Sequence, residues 1–344
     1  VANVARPATI QLAPRGGEFS LSCVVPVHNE QAVVADFLRA LRATAAKITN
    51  RFEIIVVNDG STDATGSVVR ELAPELSLTF IELSRNFGKE AALTAGLDLA
   101  RGDCVLLIDA DFQHPLETVP DMVGAWRAGY DMAYGLRTDR AGESWLKRAG
   151  SRLFYRLMAS SQSIDIPPDA GDFRLMDRRV VDALKRLPER HRFMKGLYAW
   201  VGFRAVGIPF EVKPRAGGST SFSMRRLQAL AVTGITAFSN LPLRIGGVIG
   251  ALIAMVAFAW GTWIVIERLV FGQPIQGFAT LAASVLFFAG IQLISIGVLG
   301  EYLGRVYDEV KARPTYLVAR LDDYSPLREV VLSAPPILQQ LARQ

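Results

Sequence analysis

Asp109-Ala110-Asp111 places two carboxylates one residue apart at the end of the apolar run Cys104-Val105-Leu106-Leu107-Ile108. Such a run reads as a buried strand whose end emerges at a polar site. On a strand both Asp side chains share one face, and their charges repel unless a cation lies between them. Gln113, two residues on, adds a neutral oxygen for the same cation. A small set of hard oxygen ligands suits Mg²⁺ or Mn²⁺ carrying substrate phosphates better than zinc, which prefers Cys and His. Alone, the motif reads equally as a strand-to-loop turn with solvated Asp side chains, so the rest of the chain has to decide.

The elements that must carry these carboxylates alternate in the α/β manner from Leu21 onward. Apolar, β-rich runs fall at Leu21–Val27, Phe52–Val57, Thr79–Leu83 and Cys104–Ile108, with a weaker one at Asp131–Tyr134. Helical stretches separate them at Gln31–Ala46, Thr62–Leu72, Lys89–Ala100 and Pro115–Trp126. This spacing predicts a mostly parallel sheet with right-handed crossovers. In such sheets the chemistry sits beyond the carboxyl ends of the strands. Those ends carry Pro26-Val27-His28-Asn29-Glu30, Asn58-Asp59-Gly60-Ser61, Ser84-Arg85-Asn86-Phe87-Gly88 and the Asp109/Asp111 pair. Neither a dinucleotide glycine fingerprint nor a P-loop follows the first strand, which speaks against those two phosphate cradles. A nucleotide is instead expected on Glu30, through ribose hydroxyls, and on Asp59, through base or ribose. Taken by itself, Asp59-Gly60-Ser61 reads more readily as a turn and helix N-cap.

At 344 residues the chain has room for one large domain or two smaller ones, and a net charge of +5 beside 50% hydrophobic residues is unusual for a soluble enzyme. The apolar excess is local. Gly246–Ile266 and Ala279–Leu299 carry no charge, and each is long enough as a helix to span a hydrocarbon core. Between them, Glu267 to Phe278 is short; the flanks carry Arg225, Arg226 and Arg244 on one side and Arg305, Lys311, Arg313 and Arg320 on the other. The positive-inside rule sets both flanks, and hence the polar domain, in the cytoplasm. Cys23 and Cys104, each inside a predicted strand, suit reduced core residues better than a bridge. Residues 1–18, with Pro7, Pro14, Gly16 and Gly17, read as a mobile arm rather than a secretory leader. On a helix over Ser144–Ala159, Arg148, Arg152 and Arg156 line one side and Leu146, Leu153 and Leu157 another, the pattern of a helix lying at a membrane interface. Leu227–Leu241, apolar and uncharged, suits a second interfacial helix before Pro242. The domain reading is therefore an arm at 1–18, a cytoplasmic catalytic domain at 19–226, a juxtamembrane helix at 227–243, a membrane hairpin at 244–302 and a cytoplasmic tail at 303–344.

These residues resemble family 2 glycosyltransferases of the GT-A fold, and among them the polyprenyl-phosphate glycosyltransferases, which include dolichyl-phosphate mannose synthases and bacterial bactoprenol glucosyltransferases. The resemblance covers about residues 19–320. It rests on Val25-Pro26-x-x-Asn29-Glu30, Asn58-Asp59-Gly60-Ser61-Thr62-Asp63, Ser84-Arg85-Asn86-Phe87-Gly88, Asp109-Ala110-Asp111-x-Gln113-x-Pro115 and Asp169-Ala170-Gly171-Asp172-Phe173-Arg174-Leu175. Leu187-Pro188-Glu189-Arg190-x-Arg192-Phe193 and Gly300-Glu301-Tyr302-Leu303-Gly304-Arg305 extend it. The Gly-Asp-Phe-Arg string and the C-terminal hairpin fit the bactoprenol branch best. The resemblance implies a UDP- or GDP-sugar donor, glucose first among the sugars, and a polyprenyl phosphate acceptor such as undecaprenyl phosphate. It places the enzyme in the bacterial inner membrane with both termini cytoplasmic, without a nucleic-acid partner; the small two-helix anchor suits a homo-oligomer. Asp109, Asp111 and Gln113 would hold Mg²⁺ or Mn²⁺ on the diphosphate, and Pro26, His28, Glu30, Asp59, Arg85 and Asp109 would bind the nucleotide sugar. Arg137, Arg152 and Arg215 match positions associated with the acceptor phosphate, with Lys147 and Arg148 as helpers. Asp172, with Asp169 as the second choice, would orient sugar hydroxyls or the acceptor; a structural contact from Asp172 to Arg174 is the alternative.

Three departures stand out from the family pattern. His28 replaces a usual Tyr, Asn58 replaces the first Asp of Asp-Asp-Gly-Ser, and Ser221 stands where many relatives have Lys. The last leaves more of the anion-binding role to Arg215. The implied reaction is an in-line displacement at the anomeric carbon, inverting an α-linked donor to a β-linked lipid product. Its nucleophile is an ionised phosphate oxygen, which separates the site from a glycosidase with its two flanking carboxyls. A processive polysaccharide synthase would need more spans and a Gln-x-x-Arg-Trp string, where this chain has Arg190-His191-Arg192-Phe193. A non-catalytic nucleotide-binding membrane subunit would not need Asp111.

Overall fold

Strands that are near-continuous apolar runs have to be covered on both faces, and the centre of this protein is built that way. In the computed structural model, which describes residues 13–137, 170–190, 192–211 and 277–328 and positions 250, 252–253, 255–263, 266 and 270, four such strands lie side by side. They are β1 (Leu21–Val27), β2 (Phe52–Asn58), β3 (Thr79–Leu83) and β4 (Cys104–Leu107), all parallel, with β1 between β2 and β4 and β3 outside β2. Cys23 and Cys104 are free and buried in two of them, as their sequence setting requires. The crossovers run through α1 (Val34–Ile48), α2 (Thr65–Leu76) and α3 (Lys89–Leu99). α1 turns Val34, Phe37, Leu38, Leu41 and Ala45 inward, one apolar stripe at helical spacing. α3 is buried on nearly all sides and made largely of small residues; a Cβ on Gly96 would overlap Val24 of β1, so only glycine lets helix and strand approach this closely. α4 (Val119–Arg127) starts later than the sequence pattern suggests because a 3₁₀ turn at Leu116–Thr118 precedes it.

The sheet is wider than the sequence pattern implies. Its eight strands run in the order β7-β5-β6-β4-β1-β2-β3-β8. β5 (Met132–Arg137) extends the weak run at Asp131–Tyr134, while β6 (Ala170–Asp177), β7 (Ala205–Phe210) and β8 (Val318–Asp323) come from segments without a clear strand period. β6 runs antiparallel between β4 and β5, β7 is parallel to β5, and β8 is antiparallel to β3. Four of the seven pairings are parallel, so the sheet is mostly parallel as expected. α5 (Arg178–Lys185), N-capped by Asp177, and α6 (Met194–Trp200) follow β6. One local expectation is corrected. β4 ends at Leu107, so Asp109 and Asp111 stand on the loop beyond it and do not share a strand face; Phe112, with φ at 58°, turns the chain away.

Both ends of the α/β unit are held by buried charge. Arg15 lies within the stretch expected to be a mobile arm, yet its guanidinium donates to the carbonyls of Trp126 and Tyr130 and pairs with Asp131 and Asp177. Arg15 is thus tied to the α/β unit, against the arm reading at that residue, because a cation with four acceptors stays put. At the other end, β8 returns chain from beyond the apolar helices to the sheet. Glu53, fully buried in β2, accepts from the Ser22 hydroxyl (2.6 Å), the Arg101 backbone N–H (2.8 Å) and the Ser325 hydroxyl (2.7 Å). Arg101 bridges Glu53 (3.2 Å) to Asp323 of β8 (2.7 Å), and Thr79 of β3 donates to the same aspartate.

The described residues fall into two units, the α/β unit and a helical one within Met224–Arg313. The helical unit contains α7 (Phe278–Lys311), which includes the expected span Ala279–Leu299. Phe287–Lys311 is long and apolar enough to cross a membrane, with mean hydropathy 1.4, and Leu293, Ile294, Ile296 and Leu299 on it are exposed. Of the expected span Gly246–Ile266, the described positions are helical, and Phe258, Trp260 and Trp263 are exposed. The helices expected at 144–159 and 227–241 lie outside the described residues.

Arg101 is the test of the C-terminal clamp. Arg101→Met keeps the stem but strands the Glu53 carboxylate in the core, and loss of one partner of a buried pair costs about 3–5 kcal/mol. Chemical denaturation of the α/β unit should show a loss of that size; a change below about 1 kcal/mol would mean the clamp does not hold β8.

Candidate functional site

Because β1 to β4 are parallel, their carboxyl ends share one edge, and antiparallel β6 brings its first residues to the same edge. Leu107 of β4 pairs with Arg174 of β6. Asp109 lies two residues beyond that pair on the chain leaving β4, and Asp172 two residues before it on β6. Lys89, the first residue of α3, joins them: its Nζ lies 2.7 Å from Asp109 Oδ1, 2.8 Å from Asp109 Oδ2 and 3.1 Å from Asp172 Oδ2. Carboxylates more than sixty positions apart in sequence thus meet on one ammonium. The alternative contact of Asp172 with Arg174 is not formed as a hydrogen bond; Arg174 donates to the Gly171 carbonyl (2.6 Å) and the Met132 sulfur (3.2 Å) and stacks 3.5 Å from the Tyr198 ring centroid.

Lys89 is placed by Asp59. The buried Asp59 carboxylate accepts the backbone N–H of Phe87 on Oδ1 (2.7 Å) and of Gly88 on Oδ2 (2.9 Å), which fixes the β3–α3 loop. Gly60 makes this approach possible: its φ is +60°, and a Cβ there would overlap the Arg85–Asn86 peptide. The Asp59 carbonyl accepts from His28 Nδ1 at 2.9 Å, which sets the imidazole tautomer and leaves Nε2 to accept from Asn86 at 3.2 Å. Asn58 is buried; its Oδ1 accepts from the Ser61 N–H and hydroxyl while its Nδ2 donates to Glu82 at 3.4 Å. An aspartate at 58 could accept the same two bonds from Ser61 but would have no donor for Glu82, so this departure from the family pattern serves the contact with Glu82.

On the metal motif, Asp111 is buried and its Oδ1 accepts the Gln113 N–H at 3.0 Å. The turn forces Phe112 into the left-handed region, a strained conformation for an aromatic residue, and packing against Phe37 (5.2 Å, edge-on) holds it there. His114 is buried, stacked on Phe173, with Nδ1 4.0 Å from Asp109. Burial keeps its imidazole below the ordinary range against the pull of Asp109 and Asp111, so it is neutral at pH 7. Among the described residues no three His, Cys, Asp or Glu side chains form a metal cage. The donor set nonetheless fits a hard divalent ion that keeps positions for phosphate oxygens: Asp109 already presents both oxygens to a cation, the ammonium of Lys89, which stands in for it.

The charges around Lys89 are tuned. Burial disfavours the Lys89 ammonium, but Asp109 and Asp172 outweigh it and hold the amine charged, above the ordinary lysine range. Burial likewise works against Asp172, yet Lys89, Lys195 and Arg174 carry its carboxyl below the usual carboxylate range. Glu90 goes the other way. Burial and then the charge of Asp172 push its carboxyl up to about 8, so it is protonated at neutral pH. Neighbouring acids with values driven apart are a mark of functional sites.

Of the remaining candidates, Pro26 is half-buried in β1, Glu30 follows it with its N–H donated to Thr65 (2.8 Å), and Arg85 stacks on Phe87 at 4.1 Å. Arg137 ends β5, exposed, beside Phe210 of β7. Asp169, Lys147, Arg148, Arg152, Arg215 and Ser221 lie outside the described residues. Sequence reasoning missed Lys89, Glu90 and His114. The signal for Lys89 was its place: first in a helix, directly after the glycine that ends a polar strand-end cluster.

The model of glycosyl transferase family 2 matches residues 22–185. The chain is 44% identical over 313 residues to an uncharacterized glycosyltransferase of Synechocystis sp., covering 90% of this chain and 98% of that one. It is 44% identical over 301 residues to a prophage-derived bactoprenol glucosyl transferase of Shigella flexneri, covering 87% and 97%. A prophage bactoprenol glucosyl transferase homolog of Escherichia coli is 43% identical over 302 residues, covering 88% and 99%.

Glu90 gives the site a pH signature. Its folded value of about 8 lies above the ordinary value of about 4.3 for an unfolded chain. Between those values the folded protein keeps a proton that the unfolded chain has released, so this group makes stability fall as pH rises. Glu90→Gln should flatten the decline between pH 5 and 8 in denaturation curves while matching the wild type near pH 4; parallel curves would show that Glu90 is ionised.

Proposed function

The chain belongs to glycosyl transferase family 2, and we propose that it moves glucose from a nucleotide-sugar donor to the phosphate of a polyprenyl lipid such as undecaprenyl phosphate. The observation that carries this reading is likeness to bactoprenol glucosyl transferases over 97–99% of their length, far beyond the stretch the family model matches. The lipid-linked glucose would serve as a donor for glycosylation of the cell envelope.

The reaction is a single in-line displacement. An oxygen of the lipid phosphate, already ionised, forms a bond to the anomeric carbon as the bond from that carbon to the nucleoside diphosphate breaks and its electron pair leaves on the diphosphate. An α-linked donor gives a β-linked product, and no strong base is needed. Asp109, Asp111 and Gln113 would hold Mg²⁺ or Mn²⁺ at the diphosphate. When bound, the ion supplies charge neutralisation for the departing group. Glu30 and Asp59, with Pro26, His28 and Arg85, hold the nucleoside of a UDP- or GDP-sugar. Asp172, carried on Lys89, orients sugar hydroxyls or the acceptor, with Asp169 as the second choice. Arg137, Arg152 and Arg215, helped by Lys147 and Arg148, bring one anion toward another, so catalysis rests on positioning and charge.

The membrane setting follows the same reading: spans at 246–266 and 279–299 form a hairpin, residues 19–226 and the tail are cytoplasmic, and the helices at 144–159 and 227–243 lie at the bilayer surface of a bacterial inner membrane. The exposed apolar side chains of α7 support one crossing. The pairing of β8 with β3 supports a second, since chain on either side of the helices joins one sheet and must be on one side of the bilayer. Homo-oligomerisation through the hairpin is part of this proposal.

A screen of UDP- and GDP-sugars against undecaprenyl phosphate in membranes, with mass detection of the lipid, tests the function. Glucosyl phosphate lipid is the expected product, and Asp111→Asn should lower its rate by about 100-fold or more. Transfer by that variant at the wild-type rate would end the metal-centred reading, and failure of every donor would favour a non-catalytic role. Arg152→Ala should weaken lipid-phosphate use by about tenfold and donor binding far less; equal loss of both would remove Arg152 from the acceptor site.

A further inference from the structure

Lys89 has no role in the reading above beyond carrying Asp172. It opens α3, where the helix dipole disfavours a cation. The β3–α3 loop is held by Asp59 so that the side chain reaches the sheet edge, where both oxygens of Asp109 and one of Asp172 receive it. The pair lies at the open edge of the sheet: the Lys89 side chain is 43% exposed and that of Asp109 26%, while the ammonium itself is turned in onto the carboxylates. A cation therefore occupies both oxygens of the first aspartate of the metal motif.

Resting on the proposed donor site, we infer that Lys89 is an internal counter-ion that competes with the divalent cation for Asp109 and turns to the diphosphate when cation and nucleotide arrive together. A divalent ion alone must displace an ammonium from two short contacts and then stand next to it, and like charges a few ångströms apart repel by several kcal/mol at a protein surface. With the diphosphate present, the displaced ammonium gains an anionic partner in the same place while staying on Asp172. Lys89 thereby couples the two ligands, and the coupling is reciprocal: nucleoside diphosphate tightens metal binding as much as metal tightens nucleotide binding. The same charge also keeps Asp109 and Asp172 together while the donor is away, so the edge is preassembled.

The test reads metal binding rather than turnover. Mn²⁺ binding to the full-length protein in detergent is measured by electron paramagnetic resonance, with and without UDP, for wild type, Lys89→Met, Lys89→Arg and Asp111→Asn. Wild type should bind Mn²⁺ weakly alone and much more tightly with UDP, and Asp111→Asn should lose the UDP-dependent signal. In Lys89→Met, affinity for Mn²⁺ without UDP should rise by about tenfold or more, and the enhancement by UDP should shrink by a similar factor. Lys89→Arg keeps the charge and should keep the wild-type pattern. If Lys89→Met loses the wild-type circular dichroism, Lys89→Gln is the neutral variant used. Wild-type UDP-dependent binding with an unchanged or lower nucleotide-free affinity in the neutral variant overturns the role of Lys89 alone. Absence of Mn²⁺ binding in every variant, with or without UDP, overturns the metal site and this inference together.

Discussion

The carboxylate of Asp59, buried at the end of β2, accepts the backbone N–H groups of Phe87 and Gly88, and the arrangement of charge along this sheet edge depends on that pair of bonds. Burying a carboxylate is costly unless its oxygens are satisfied, and charge-assisted bonds to backbone donors do this with little freedom in geometry. The β3–α3 loop is consequently held to the end of β2, with Gly60 making room for the Arg85–Asn86 peptide. From that fixed point α3 begins at Lys89, whose ammonium gathers Asp109 from the end of β4 and Asp172 from the start of β6. A turn on one strand thus determines where acidic groups from two others meet.

The same logic of satisfied buried charge closes the fold at its edges. Glu53, Arg101 and Asp323 join β2, the loop before β4 and the last strand, and Arg15 ties the chain before β1 to Asp131 and Asp177. The antiparallel strands β6 and β8 extend a parallel core that would otherwise end on β3 and β4. Interrupting one unit with apolar helices and resuming it afterward makes the α/β unit and the helical unit parts of a single chain path.

Much of the fold was legible because its signals are local. The four parallel strands are near-continuous apolar runs, and α1 shows its stripe at helical spacing, so each could be read within a few residues. β6, β7 and β8 were not legible: their residues alternate weakly, and what makes them strands is pairing with β4, β5 and β3 across long sequence separations. At the site, the acidic motif and the polar strand ends were readable from position alone. The Lys89 bridge was not, since it depends on the β4–β6 register. Nor was the raised carboxyl of Glu90, which burial beside Asp172 produces.

By itself the amino-acid sequence determined the chemistry on offer: paired carboxylates after a buried strand, polar clusters at successive strand ends, and uncharged stretches long enough to cross a bilayer. These follow from residue type and spacing along a few turns or a single strand, where neighbours in sequence are neighbours in space. Only the tertiary structure decided that Asp109 and Asp172 share one ammonium, that Asn58 donates to Glu82, and that the chain beyond α7 belongs to the same sheet as β1. Those outcomes depend on which strands pair and in what register, and register is set by packing and buried charge over the whole unit. Asp109-Ala110-Asp111 is therefore a pair of carboxylates suited by composition to a cation, and the cation that Asp109 already holds comes from a helix twenty residues earlier in the chain.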